Sequence, residues 1–160
     1  MTKREEECLE AALEFATRKH EGQLRKGGEA FITHPVTVCK YVRDKGYGLS
    51  YQLAALFHDL LEDTDATEEE ILELSDEEVL TAVKLLTKTK GYQMKSYISG
   101  ILSNPIALVV KTADRLHNLR SAVCTDEAFK RKYIAETKKW YLDFSPEIEV
   151  AMKELAATMK

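Results

Sequence analysis

The sequence predicts an all-α protein, and three observations support this prediction. Apolar residues recur every three to four residues in most segments, helix-capping residues precede several of these segments, and no segment of useful length alternates between apolar and polar residues. Only seven glycines and three prolines occur among the 160 residues, so long stretches lack residues that interrupt helices. A chain of this length is expected to form a single domain over residues 1–160.

Periodicity and capping signals place the individual helices. Ser50 is expected to cap one helix, and two capping boxes are predicted, Thr67 with Glu70 and Ser75 with Glu78. Glycines and mixed polarity predict a loop over residues 21–33. The predicted helices cover residues 5–20, 35–45, 51–62, 65–74, 75–86, 92–103, 105–122, 126–143 and 146–159.

Composition excludes several classes of function. The net charge of −4 and the absence of a basic stripe with interleaved aromatic residues argue against nucleic-acid binding. The longest strongly apolar run, residues 106–110, is too short to cross a membrane. Cys8, Cys39 and Cys124 are widely spaced and form no C-x-x-C pair, which is typical of reduced thiols in a cytoplasmic protein.

The stretch FHDLLEDTD, residues 57–65, concentrates ionisable groups next to an apolar helix face. His58 and Glu62 are four residues apart, as are Asp59 and Asp63, so each pair shares a face and the two faces are adjacent. Imidazole and carboxylate groups together suit a divalent metal such as manganese, iron, cobalt or zinc. The alternative is a solvated helix end that carries one core histidine.

Two further segments supply candidate ligands of the same kind. His34, in ITHPV, lies where a loop enters a helix, and Asp114, in VVKTADRLHNL, follows an apolar run and should be partly buried. Each has an ordinary structural alternative: His34 as a packing or capping residue, and Asp114 as the partner of a lysine or arginine. Taken with His58 and Asp59, they could hold one metal ion and leave coordination positions open. Because the set contains no sulfur, it does not indicate a structural zinc site.

Basic residues elsewhere are candidates for contacts with an anionic substrate, with a solvated surface as the alternative. The loop residues Arg25 and Lys26 could bind phosphate or stack on a base. His117, three residues after Asp114, could donate a hydrogen bond to a metal ligand or simply pack in the core. Further candidates for phosphate binding are Lys88, Lys90, Arg115 and Arg120.

These residues resemble a known family. The order His34, His58-Asp59, Asp114 is similar to that of the HD superfamily of metal-dependent phosphohydrolases. The segments GQLRKGGEAFITHPV, ALFHDLLEDTD and VVKTADRLHNLRSA look like the hydrolase domain of the RelA/SpoT homologues, over about residues 8–138. The resemblance implies a compact, single-domain HD-type helical bundle that removes the 3′-pyrophosphate from the guanine nucleotides ppGpp and pppGpp.

The resemblance also implies roles for individual residues. One divalent metal ion, usually manganese, would be held by His34, His58, Asp59 and Asp114. The attacking water would be positioned and activated by Glu62 and Asp63. Arg25 and Lys26 would contact the guanine base, and Asn118 would lie near the ribose. Gly27 stands where the family often has serine, and the segment after Lys88 departs from the family.

The sequence is also consistent with other functions. The same metal site could serve another HD-type enzyme, such as a nucleotidase, a phosphodiesterase or an NADPH phosphatase. A binding module without catalytic activity is a third reading, although every residue of the motif is present. Because this sequence lacks the synthetase domain that the long family members carry after the hydrolase region, we expect a hydrolase only. The sequence does not specify whether the protein forms a homo-oligomer.

Overall fold

The computed structural model describes residues 1–160 and contains ten α-helices. Two short 3₁₀ helices, Ala122–Cys124 and Leu142–Phe144, flank the ninth α-helix. No strand forms, and the only β-type contact is an isolated bridge between Leu24 and Ala30. The α-helices are α1 Lys3–Lys19, α2 Thr33–Asp44, α3 Leu49–Phe57, α4 Leu60–Asp63, α5 Glu68–Leu74, α6 Glu77–Leu85, α7 Met94–Leu102, α8 Pro105–Ser121, α9 Glu127–Trp140 and α10 Pro146–Ala157.

The predicted all-α class is confirmed, and so is one of the two predicted capping boxes. The Thr67 hydroxyl accepts a hydrogen bond from the Glu70 N–H at 3.2 Å, and the Glu70 carboxylate accepts one from the Thr67 N–H at 3.0 Å. The predicted box of Ser75 and Glu78 is wrong. Asp76 caps α6 instead, by accepting a hydrogen bond from the Val79 N–H at 2.9 Å. Ser75 donates its hydroxyl to the Ile71 carbonyl, so it closes α5 and cannot open α6.

The predicted helix over residues 51–62 is wrong in two respects. It begins earlier, at Leu49, with Gly48 as its N-cap, so Ser50 lies within the first turn. It also breaks after Phe57 into α3 and α4. The imidazole Nδ1 of His58 lies 2.6 Å from the Ala55 carbonyl oxygen, the acceptor that the Asp59 N–H would use in a continuous helix. The break is therefore located at the His58-Asp59 pair.

The centre of the fold is α3, which packs against α1, α2, α6 and α8. Five consecutive residues of α3, from Leu53 to Phe57, are buried within one hydrophobic core that extends from α1 to α10. Because α2 and α8 both pack on α3, the start of α2, the end of α3 and the middle of α8 come together. None of the helices is both long and apolar enough to cross a membrane.

Candidate metal centre

Four side chains that are far apart in the sequence converge at the junction of α2, α3 and α8. One potential ligand atom from each of His34, His58, Asp59 and Asp114 lies within 4.8 Å of every other. The Nε2 atoms of His34 and His58 lie 2.7 Å and 3.2 Å from Asp114 Oδ1. Oδ2 of Asp59 lies 3.1 Å from His58 Nε2 and 3.7 Å from His34 Nε2. The two histidines and Asp114 are buried, and Asp59 is partly exposed.

The orientation of both imidazole rings suits metal binding. The Nδ1–H of His58 donates to the Ala55 carbonyl oxygen, so Nε2 is the atom that faces the centre. Nδ1 of His34 contacts the ring of His117 at 2.7 Å, and Nε2 of His34 again faces the centre. Metal-binding histidines characteristically use one ring nitrogen for the metal and place the other in such a hydrogen bond.

The two carboxylates of the centre, Asp59 and Asp114, need positive charge beside them to be stable when buried. Burial lowers the pKa of His58, but the carboxylates of Asp59 and Asp114 outweigh burial and raise its pKa to about 9. A proton can supply that charge, and a divalent cation can replace it. Oδ2 of Asp59 is buried and has no hydrogen-bond donor, which leaves one carboxylate oxygen available to a cation. Two neutral imidazoles and two carboxylates, all directed to one point, therefore fit a divalent metal ion.

Lys111 is a member of the site that the sequence did not single out. Its Nζ atom lies 3.1 Å from Asp114 Oδ2, while Asp114 Oδ1 faces the two histidines. Burial opposes ionisation of Asp114, but Lys111 and the histidines hold the pKa of Asp114 well below its usual value. The i, i+3 spacing in KTAD was the available signal, but the same spacing is common between exposed residues.

Glu62 and Asp63 both line the cavity beside the four converging side chains, but their environments differ. The Glu62 Oε1 atom accepts a hydrogen bond from the Lys88 N–H at 2.7 Å, which ties α4 to the turn after α6. Burial raises the pKa of Asp63 to about 6, and the neighbouring Asp59 and Glu62 carboxylates add to this effect. A carboxylate with a raised pKa beside a candidate metal site is a candidate general base.

A cavity of about 390 Å³ opens beside the centre, a volume within the range of small-molecule sites. The loop between α1 and α2 lines it with Arg25 and Lys26. Arg25 Nη2 donates to Asn118 Oδ1 at 3.1 Å, and Lys26 Nζ lies 4.4 Å from the centre of the Phe129 ring. Asn118 is also a neighbour of the metal centre, because its Nδ2 donates to Asp114 Oδ1 at 3.3 Å. The three predicted substrate contacts therefore line one cavity.

The other basic candidates lie in different environments. Lys88 lines the cavity, whereas Lys90 and Arg120 are exposed outside it. Arg115 is buried, with Nη2 2.6 Å from Glu136 Oε1 and its guanidinium between two tyrosine rings. Because Glu136 already neutralises Arg115, the interpretation of Arg115 as a free phosphate-binding cation is not supported.

The four converging side chains lie in a segment that matches a known family model. The family model for the HD domain matches residues 12–145, which include all four converging side chains. The chain belongs to the HD domain family. A similar fold is present in the structure described as a metazoan ortholog of SpoT that hydrolyzes ppGpp, with a TM-score of 0.78 and 23% identity over 94% of each chain.

Two curated relatives of this HD domain are bacterial proteins. Guanosine-3′,5′-bis(diphosphate) 3′-pyrophosphohydrolase from Aquifex aeolicus is 37% identical over 84% of this chain and 20% of that protein. A probable GTP pyrophosphokinase from Mycobacterium leprae is 35% identical over 71% of this chain and 16% of that protein. The chain therefore spans a fifth or less of the length of these two relatives.

Proposed function

We propose that this chain is a single HD phosphohydrolase domain that removes the 3′-pyrophosphate from ppGpp and pppGpp with one divalent metal ion, manganese. The observation that carries the proposal is the position of the His/Asp centre on the wall of a cavity whose other walls contain Arg25, Lys26 and Asn118. This arrangement supports the proposal, because side chains that can hold a metal ion lie beside groups that can contact a base and a ribose. The name of the Aquifex aeolicus relative supports the same reaction.

The metal ligands in this proposal are His34, His58, Asp59 and Asp114. When bound, the ion supplies Lewis acidity at the phosphorus that carries the 3′ oxygen and offsets the charge of the phosphates. Lys111 holds Oδ2 of Asp114, so Oδ1 remains directed to the ion's position.

Asp63 and Glu62 of α4 activate and orient the attacking water. Asp63 accepts a proton from the water at its carboxylate, and its raised pKa suits this transfer at neutral pH. Glu62 Oε1 accepts a hydrogen bond from the Lys88 N–H, which fixes the orientation of the Glu62 carboxylate. This carboxylate is a second hydrogen-bond acceptor for the water. Positioned acid–base groups of this kind typically contribute ~10²–10⁴ in rate.

Substrate recognition is assigned to the loop and to α8. Arg25 and Lys26 contact the guanine base, Asn118 contacts the ribose, and Lys88 is the free cation in the cavity for the remaining phosphates. A cytoplasmic location is part of the proposal, and the three widely spaced cysteines without a C-x-x-C pair support it. A homo-oligomer would be compatible with this site but is not required by it.

The test is an assay with manganese on a panel of ppGpp, pppGpp, nucleoside monophosphates, NADPH and a cyclic nucleotide. Release of pyrophosphate from ppGpp and pppGpp is the expected result. Release of orthophosphate from a monophosphate or NADPH, without pyrophosphate from ppGpp, would reassign the chain to another class of HD phosphatase. No turnover of any compound would contradict an enzymatic function, provided that the protein binds manganese in the same buffer.

A further inference from the structure

A chain of polar contacts connects the cavity loop to the metal centre through His117. Arg25 Nη1 lies 3.3 Å from His117 Nδ1, and the same His117 atom lies 2.7 Å from His34 Nδ1. On the other side of its ring, His34 Nε2 lies 2.7 Å from Asp114 Oδ1. Nδ1 of His34 has no hydrogen-bond partner other than His117 in this structure.

The chemistry of arginine determines the direction of these hydrogen bonds. A guanidinium group carries only donors, so Arg25 can interact favourably with His117 Nδ1 only if that nitrogen is an acceptor. The His117 proton must then be on Nε2. Because His117 Nδ1 accepts, the proton in its contact with His34 must belong to His34 Nδ1. Neutral His34 therefore has its lone pair on Nε2, the atom that faces the metal centre.

We propose that His117 is a positioning residue that holds His34 in the ring tautomer and orientation needed to bind the metal ion. This inference rests on the metal site of the proposed function and goes beyond it, because His117 is not one of the four converging side chains and does not line the cavity. Its role is the one that a carboxylate or a backbone carbonyl performs beside most metal-binding histidines. For His58 that acceptor is the Ala55 carbonyl, and for His34 it is a second imidazole.

The geometry around His117 supports a fixed acceptor. The His34 and His117 ring planes differ by only 12°, so the two rings are nearly parallel. His117 lies on α8 three residues after Asp114, and the Ser121 hydroxyl donates to its backbone carbonyl at 2.8 Å. One helix thus supplies both a metal ligand and the residue that orients a second ligand from α2. A shift of α8 would move both together.

Binding of Mn²⁺ alone, measured by the electron paramagnetic resonance signal of free Mn²⁺, tests this role without substrate or turnover. The informative pair is His117→Leu, which has no acceptor, and His117→Asn, whose Oδ1 takes the place of the imidazole Nδ1. His117→Phe keeps the ring without the acceptor and serves if the leucine variant does not fold. His20→Leu is the matched control, because His20 is a buried histidine whose side-chain hydrogen bond is to Gln23 and not to any of the four ligands.

We expect the leucine and phenylalanine variants to bind Mn²⁺ ~10–100-fold more weakly than wild type. The asparagine variant and the His20→Leu control should keep affinity close to that of wild type. Equal affinity in wild type and His117→Leu would overturn the role of His117, and so would a loss as large in His117→Asn as in His117→Leu. A wild-type protein that binds no Mn²⁺ would overturn the metal site itself, which is a separate outcome.

Discussion

The metal centre and the loop between α1 and α2 line the same cavity but are built in opposite ways. Each imidazole at the centre has a second hydrogen-bond partner, and His34, His58 and Asp114 are no more than 5% exposed. The loop exposes 67% of Leu24, and its short hairpin is held by backbone hydrogen bonds such as Arg25 N–H to the Glu29 carbonyl at 2.8 Å. The contrast agrees with the proposal, in which three packed helices hold the metal-binding groups and a surface loop recognises the substrate.

This contrast has a kinetic consequence. Substitutions at the centre should change metal binding and kcat, because they remove groups used by every substrate. Substitutions in the loop should change mainly KM and substrate preference, since they leave the four candidate ligands in place. Arg25 is the loop residue that also contacts His117, the neighbour of His34, so substitutions in both regions test the separation.

Asp59→Asn should have the largest effect. It removes an anionic metal ligand, so we expect a loss of Mn²⁺ affinity greater than the ~10–100-fold typical of an outer hydrogen-bond partner. Wild type should be stabilised by ~2.7 kcal/mol when Mn²⁺ is present at 100 times its Kd. The variant should lose this increase in thermal stability, which melting curves with and without MnCl₂ will detect. An equal increase in both proteins would remove Asp59 from the ligand set.

Asp63→Asn and Glu62→Gln separate the two carboxylates of α4. Asp63→Asn should lower kcat by ~10²–10⁴ and leave Mn²⁺ affinity nearly unchanged, since it removes the proposed base. Glu62→Gln keeps an Oε1 atom that can accept from the Lys88 N–H, so its loss in kcat should be smaller. Single-turnover rates with ppGpp, measured with saturating manganese, give the comparison. A larger loss for Glu62→Gln would assign the base to Glu62.

Arg25→Met and Lys26→Met test the recognition half of the comparison. Arg25 is nearly buried in the cavity wall and is assigned a charged hydrogen bond to the guanine base, so its removal should raise KM by ~10–100-fold. Lys26 lies at the more exposed edge of the cavity, and loss of a cation–π contact with the base should raise KM less, by the equivalent of about 0.5–1 kcal/mol. Initial rates over a range of ppGpp concentrations separate KM from kcat. A fall in kcat with unchanged KM for Lys26→Met would contradict the proposed separation.

Gly28→Ala should have the smallest effect on KM. Gly28 has a φ of +95° and no heavy atom within 4 Å of an added Cβ, so the change adds backbone strain without a clash. We expect this strain to lower the stability of the loop conformation by about 1–2 kcal/mol. KM should rise slightly while Mn²⁺ affinity stays constant. A matched fall in Mn²⁺ affinity would show that the loop and the metal centre are mechanically coupled.

Much of the candidate site was accessible from local sequence patterns. The spacing within FHDLLEDTD places Asp59 and Asp63 one turn apart, and the apolar run before Asp114 indicates a partly buried carboxylate. His34, at the entry to a helix, completed a set of two imidazoles and two carboxylates, and the resemblance to the RelA/SpoT hydrolase region then implied that all four hold one metal ion. The metal-binding and catalytic roles of these residues remain predictions, although the structure brings the four candidate ligands together.

Local patterns could not supply the residues whose role depends on a neighbour from another helix. Arg115 looked like a free cation until α9 placed Glu136 beside it at 2.6 Å. His117 was ambiguous because its partner, His34, is 83 residues away in the chain. The break after Phe57 was missed because it depends on the direction of one imidazole ring, which helix periodicity does not describe.

Local sequence patterns were sufficient to predict the helical class, most helix positions and the candidate metal-binding groups, because periodicity, capping and side-chain chemistry act over a few residues. Which of these groups face one another depends on contacts between helices that are far apart in the chain. Packing of α2 and α8 against α3 brings positions 34, 58 and 114 within reach of one ion. The same packing decides which basic residues are neutralised and which remain free to meet an anionic substrate.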